Sequence, residues 1–322
     1  YYFKNLKYKP YISTPFEIIY TYLLGIIKRN DLIPDDNSCL DMVCEKYGEN
    51  FFSKDPSYLR KCINGEVSEY DENIIITEND HYDDENCNGK YRVAVANVKM
   101  RNSDFEDILA GKKRSISKRC TEISKIMNEA IRYKSDLLIF PEAYIPITYL
   151  PVIQAKAARH NMVVIGGIEH IKSGNHVYNL TVTLMPINNS RMKYVVPFFH
   201  PKVYYSPAEE KAIIEHKCVP VKGNSHTLFR WNNLSFITFC CYELTSLEKR
   251  SIFKREADIV FGVEWNRDTN YFSNIIESLS RDRCCFCAQS NMSDYGDSRI
   301  VQPTKSQTMN IARVKGGING TV

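Results

Sequence analysis

Hydrophobic and polar positions keep two different rhythms along this chain, and the change falls near residue 90. From Tyr91 onward, short runs rich in Val, Ile and Phe alternate with stretches whose apolar residues return at helical spacing. "YRVAVANVKM" (91–100) predicts a strand, and "DLLIFPE" (136–142) a short one ending in Pro-Glu. "SISKRCTEISKIMNEAIRYK" (115–134) predicts a helix, because positions 116, 120, 123, 126, 127, 130 and 131 form one stripe. "LPVIQAKAARHN" (150–161) reads as helix and "MVVIGGIEHI" (162–171) as strand. "VYNLTVTLMP" (177–186) and "RMKYVVPFF" (191–199) read as neighbouring strands joined by "INNS". "NLSFITFCC" (233–241) predicts a strand followed by a helix to about residue 256. Next come strand "ADIVFGV" (257–263), helix "NYFSNIIESLSRD" (270–282) and strand "RCCFCAQSN" (283–291). Such alternation predicts an α/β fold with sheets covered by helices.

Residues 1–88 have a different character. "TPFEIIYTYLLGIIKRNDLI" (14–33) has helical spacing, with Thr14 as N-cap and Pro15 at the first helical position. "PSYLRKCI" suggests another short helix, and the acidic stretch 64–90 reads as a linker or exposed loop. The expected division is a mostly helical segment with an acidic linker over 1–88 and a layered domain over 89–322. The opening "YYFKNLKYKP", without Met, reads as a piece cut from a longer polypeptide.

Composition narrows the class. The apolar run "FEIIYTYLLGII" (16–27) is too short and too polar to span a bilayer, and no secretory signal opens the sequence. Eleven cysteines, an odd number, lie partly inside apolar runs, which suits reduced core thiols and a cytoplasmic setting better than disulfides. The net charge of +4 divides into +4 over 1–30, −12 over 31–88 and +12 over the rest. The basic residues of that last part are scattered rather than striped with aromatics, so a solvated surface explains them as well as an anionic partner.

Three predicted strand ends present polar side chains: Glu142 after "LLIFP", Lys202 after "VVPFFHP" and Cys241 after "LSFITFC". Strand ends are where such folds carry function. Singly, each has a plain structural explanation as a turn acid, a solvated lysine or a core thiol. Together they resemble the Glu-Lys-Cys set of the nitrilase, or carbon–nitrogen hydrolase, superfamily. The resemblance covers roughly residues 91–310. "RVAVANV", "LLIFPEAYIP", "VVIGGIEH" with "VYNLTVTLMP", "HPKVYYSPAEE" and "CYE" follow the family's order, as do Asn291, Gly296, Ser298 and Pro303.

The resemblance implies a four-layer α-β-β-α sandwich and a thiol hydrolase of amide-like bonds. Such chemistry needs a thiolate, a base and an oxyanion donor. Cys241 would attack, Glu142 would move protons, and Lys202 with the Tyr242 backbone N–H would hold the oxyanion. Glu210 is similar to the family's second glutamate, although Glu209 lies one residue away. Tyr204, Trp265 and Asn291 are expected on the substrate side. A capping box in "TSLE" (245–248) is expected to start a helix at Thr245 and lower the Cys241 thiol pKa. Cys240, on the opposite face of the strand, is expected to be a core side chain.

Departures from the family include Tyr204 in place of the usual His, "SRDRCCF" before the late strand, and "TKSQ" where a Gly is usual. "CYE" resembles the amidase-like branches, since nitrile hydrolysers more often carry Trp after the Cys. "CCFC" (284–287) lacks a second ligand pair and reads as buried strand, so neither a metal nor a cofactor is expected. No phosphate-binding glycine loop is present. All seven His precede Cys241, against a papain-like order. The expected partner is a small amide or nitrile, with homo-oligomers formed by sheet extension. The alternative is an assembly module within a larger machine. "YGDSRIVQPTKSQTMNIARVKGG" is similar to nitrilase-like domains fused to bacterial defence-associated reverse transcriptases, which would put nucleic acid nearby.

Overall fold

A computed structural model describes residues 74–75, 89–101, 103–112, 114–188, 193–305, 309–316 and 320–321. The chain divides into two units, Tyr1–Tyr70 and Asp71–Val322, and all described residues lie in the second. The helices expected before residue 70 and the linker around residue 80 fall outside the described residues.

Two sheets form. In the first, β2 (Val93–Asn97), β3 (Leu137–Ile139) and β4 (Val163–Ser173) run parallel, then β5 (His176–Asn188) and β6 (Lys193–Pro201) turn back antiparallel. Short β7 (Val219–Val221) pairs beside β5. In the second, β9 (Leu234–Cys240), β10 (Ile259–Val263) and β11 (Phe286–Ser290) form a parallel centre. It is flanked by β8 (Leu228–Trp231), β12 (Ser298–Val301) and β13 (Asn310–Val314), and the order begins with β1 (Ile74–Ile75). Strand β14 (Gly320–Thr321) returns to pair with β2.

Alternation along the strands builds the layers. Phe236, Ile259, Phe261 and Val263 of the second sheet meet Val95, Leu137, Ile139, Val163 and Ile165 of the first in a buried cluster. The alternate residues Ile237, Phe239, Val260 and Cys287 face the other way, onto Phe272, Ile275, Ile276 and Leu279. Those four belong to helix α6 (Thr269–Arg283). On the outer face of the first sheet, α3 (Leu150–His160) packs on β5 and β6 and beside α2 (Ser117–Arg132). Helix α2 buries Ile123, Ile126, Met127 and Ala130, part of its expected stripe. The result is the α-β-β-α sandwich read from the sequence.

Two features differ from the sequence reading. The segment after β9 is a 3-10 turn (Cys241–Thr245) and then a five-residue helix, α5 (Leu247–Ser251), not one helix to 256. Its N-cap is Ser246, whose side chain accepts from the Lys249 N–H, while Thr245 donates to the Tyr242 carbonyl. Also, Cys284 is not strand. It caps α6 in the left-handed region at φ 55° and is exposed, with Cys285 and Cys287 buried beyond it. Every cysteine among the described residues is free. No described helix is long and apolar enough to cross a membrane.

Candidate functional site

Strand β3 ends at Ile139, and the chain turns through Phe140 and Pro141 to Glu142. The turn is fixed by the Phe140 N–H on the Ile165 carbonyl and the Gly167 N–H on the Pro141 carbonyl. It also needs glycine at 167. A Cβ there would lie 2.2 Å from the Ala143 nitrogen and 2.5 Å from the Glu142 Cα. Lys202 follows β6 directly, its N–H bound to the Asn179 carbonyl. Both side chains are buried, Glu142 at 2% exposure and Lys202 at 1%.

Their charges meet. Lys202 Nζ donates to Glu142 Oε1 and to Glu209 Oε2, each at 2.6 Å. Glu209 lies in the first turn of α4 (Pro207–Glu215), which Ser206 caps and Pro207 opens. Glu210, one residue on, points elsewhere and pairs with Lys222 at 2.8 Å. The place expected of Glu210 is therefore filled by Glu209, because a single step along a helix rotates the side chain by about 100°. Asn179, quoted within the Tyr-Asn segment without a role, completes the group. Its amide donates to Glu142 Oε1 at 2.8 Å and to Glu209 Oε1 at 2.6 Å.

Burial alone would lower the Lys202 pKa, yet Glu142 and Glu209 hold it well above the ordinary lysine value. Burial would likewise raise Glu209, but Lys202 and His170, whose Nε2 lies 2.8 Å from Glu209 Oε1, pull its pKa far down. Glu209 and Lys202 are thus both ionised in the resting protein.

The two cysteines stand at the end of β9. Cys240 is fully buried, as expected of a core side chain, yet it also reaches the polar group. Its Sγ lies 3.4 Å from Glu142 Oε1 and 4.0 Å from Asn179 Oδ1. Alternation itself sets this, since Cys240 shares the parity of Phe236 and faces the first sheet, while Cys241 takes φ 45°, the left-handed region that a side-chain-bearing residue rarely adopts. The chain turns sharply at Cys241, and both thiols come within the fields of Glu142 and Lys202. The Trp265 backbone N–H bonds the Cys241 sulfur and favours its thiolate. Even so, burial pushes both thiols well above the ordinary value, with Glu142 adding to it. The expected lowering by a following helix is outweighed, since that helix is a single short one.

Glu243 anchors the turn. Its carboxylate accepts from the Cys240 N–H at 2.7 Å and the Val203 N–H at 2.6 Å, tying the chain beside Cys241 to the chain beside Lys202. Glu264, just past β10, is wholly buried and was not singled out from the sequence. Its carbonyl accepts from the Glu142 N–H at 3.3 Å, and its Oε2 accepts from Asn266. Burial pushes its carboxyl up to about 8.

The remaining expected residues divide. Trp265 is half-buried and meets Phe105 edge-on at 6.3 Å, and Phe105 meets His170 with ring centres 4.4 Å apart and planes tilted by 43°. Tyr204 is 37% exposed, whereas its neighbour Tyr205 is buried beneath Lys202, with Nζ 5.6 Å from the ring centre. Asn291 is no free substrate donor. Its amide N–H groups bond the Asn266 and Gly296 carbonyls, and its Oδ1 accepts from the Asn266 and Met292 N–H groups. It holds the loop that carries Trp265. Tyr242 is half-buried within the turn that follows Cys241.

No protein-family profile matches the chain, and the search of curated proteins returns no match. Solved structures do match. An amidase of the nitrilase superfamily from Nesterenkonia sp. AN1, as a Cys-to-Ser variant, aligns at 15% identity and TM-score 0.53, over 72% of this chain and 89% of that one. The amidase itself aligns at 15% identity, TM-score 0.53, over 72% and 88%. A Glu-to-Gln variant, carrying the acetamide moiety of fluoroacetamide on its active-site cysteine, aligns at 15% identity, TM-score 0.52, over 72% and 88%. The two-sheet architecture around this site is therefore the fold of nitrilase-superfamily amidases.

Proposed function

We propose that this chain is a thiol-dependent hydrolase of non-peptide, amide-like carbon–nitrogen bonds. The observation that carries the reading is the buried ammonium of Lys202, held between Glu142 and Glu209 beside a cysteine at a left-handed turn. A scaffold gains nothing from enclosing two carboxylates and an ammonium, whose desolvation costs several kcal/mol per ion.

In this reading Cys241 is the nucleophile. Its raised thiol pKa makes a base necessary, and Glu142 takes the proton as sulfur attacks the amide carbon. The oxyanion forms against Lys202 Nζ and the Tyr242 backbone N–H. Glu142 returns the proton to the leaving nitrogen, ammonia or an amine departs, and a thioester remains. Glu142 then draws a proton from water, hydroxide adds to the thioester, and the acid leaves as the thiol is restored. Glu209 keeps Lys202 charged and aimed. The acetamide moiety of fluoroacetamide adds to the active-site cysteine of the Glu-to-Gln variant of the Nesterenkonia amidase, which makes fluoroacetamide a probe here.

Intact mass after exposure to acetamide, butyramide, acrylamide and fluoroacetamide tests the proposal. A single adduct is expected on the parent protein and on Cys240→Ala, and none on Cys241→Ala. An adduct that disappears with Cys240 instead would transfer the nucleophile's role. No adduct from any probe, in a folded parent, would sink the hydrolase reading.

A second reading has its own support. The separate unit Tyr1–Tyr70 suits a nitrilase-fold assembly module of a larger machine, such as a bacterial defence reverse transcriptase, with homo-oligomers built on the sandwich. Assembly that is unchanged in Cys241→Ala, alongside no adduct in the parent, would favour it.

A further inference from the structure

A second polar group is enclosed around Glu243, whose carboxylate accepts from the Cys240 and Val203 N–H groups. His200, at the end of β6, places Nε2 2.9 Å and 3.2 Å from the two Glu243 oxygens. His226 lies against it, with ring centres 4.9 Å apart and planes tilted by 31°. One ligand atom from each of the three residues lies within 4.8 Å of the other two. His226 is 1% exposed, and neither of its ring nitrogens has a hydrogen-bond partner among the described residues. Leaving one buried polar atom unpaired costs ~1–3 kcal/mol, so two on one ring call for an occupant.

We propose that His200, His226 and Glu243 form a binding site for a divalent transition metal, Zn²⁺ before others. The donor set of two imidazoles and one carboxylate suits zinc, whose ligand distances are about 2.0–2.2 Å. Two ligands at that range stand about 3 Å apart, the separation already present between His200 and Glu243. His226 closes the third side. The surrounding bonds are those that orient metal ligands. The His200 ring also bonds the Ser225 backbone, and Glu243 accepts from two backbone N–H groups, of Cys240 and Val203. Access is through His200, whose side chain keeps 13% exposure.

The ion would not touch the scissile bond. Its place is under the turn, where Glu243 joins the segments carrying Cys241 and Lys202. Its role is to fix the distance between those segments, as a structural ion does. This inference stands on its own residues and does not require the hydrolase reading.

The test uses the full chain, stripped with chelator and titrated with Co²⁺ and with Zn²⁺. One equivalent of each is expected, with the visible bands of cobalt in a nitrogen and oxygen site and a higher midpoint of thermal unfolding with zinc. His226→Phe keeps a ring in the cavity and is expected to lose stoichiometric uptake while retaining the parent's circular dichroism. His200→Gln is expected to weaken binding at least ~10-fold. Thiolate-to-cobalt charge-transfer bands would place the ion on cysteines and overturn the proposal. So would uptake by folded His226→Phe equal to the parent's, or no uptake by the parent.

Discussion

Lys202 is charged because two acids enclose it, and the acids are not equivalent. Asn179 bonds both, but Glu142 also meets the Cys240 thiol, while Glu209 also meets His170. Glu209→Gln removes one of the charges that keep the ammonium in place, and the rate of fluoroacetamide labelling is expected to fall ~100-fold. Glu210→Gln, which loses only a half-exposed pair with Lys222, is expected to stay within about 2-fold. Glu264 makes a separate prediction. Its folded-state pKa of about 8 lies above the unfolded value, so the folded chain keeps a proton that the unfolded chain releases as pH rises. Its contribution to stability is therefore full at low pH, declines from the usual carboxylate range up to about pH 8, and then levels off. Glu264→Gln mimics the protonated acid. Urea unfolding is expected to show the variant gaining on the parent between pH 5 and pH 8, by on the order of a few kcal/mol. No gain with pH would mean the carboxyl is ionised in the fold.

At the scale of elements, the sequence was legible wherever one face of a strand or helix is buried. Strands β9 and β10 and helices α2, α3 and α6 fall within a few residues of their hydrophobic patterns. Glu142, Lys202 and Cys241 could be singled out as candidates because each follows such a run. What escaped was rotation about the ends of elements. The choice between Glu209 and Glu210 depends on where α4 begins, which Ser206 and Pro207 set. The reach of Cys240 to Glu142 escaped because its strand face, shared with Phe236, looks onto the first sheet, which hydrophobic pattern alone does not position. Asn179 lay inside an apolar run, and Glu264 was passed over although it follows the β10 run as Glu142 follows that of β3. The approach of β4 to the Glu142 turn gives an element-scale test. Gly167→Ala sets a methyl against backbone, not against a flexible side chain. It is expected to destabilise by about 3 kcal/mol, the upper end for overpacking, and to slow labelling more than stability alone explains. Unchanged chemistry in a folded Gly167→Ala protein would show that the Glu142 turn tolerates displacement.

At the scale of the whole sandwich, the layer between the sheets is one of its two large buried clusters, the other lying under α6. Phe261 is fully buried there and meets Phe236 edge-on at 5.4 Å. Phe261→Ala is expected to cost ~3–5 kcal/mol in equilibrium unfolding. A loss below about 1 kcal/mol would mean the layer collapses to fill the space. The position of the site across this layer has a further consequence. Glu142, Asn179 and Lys202 are carried on or beside strands of one sheet, and Cys240, Cys241 and Glu264 on or beside strands of the other. Neither sheet carries all of these groups, so under the proposed function the site works like a clasp between two leaves. A slip of one leaf over the other opens the clasp without breaking a single strand pairing. Labelling of the cysteine by fluoroacetamide then becomes a gauge of sandwich alignment, and in rising urea it should vanish at or before the loss of far-ultraviolet dichroism, never after it.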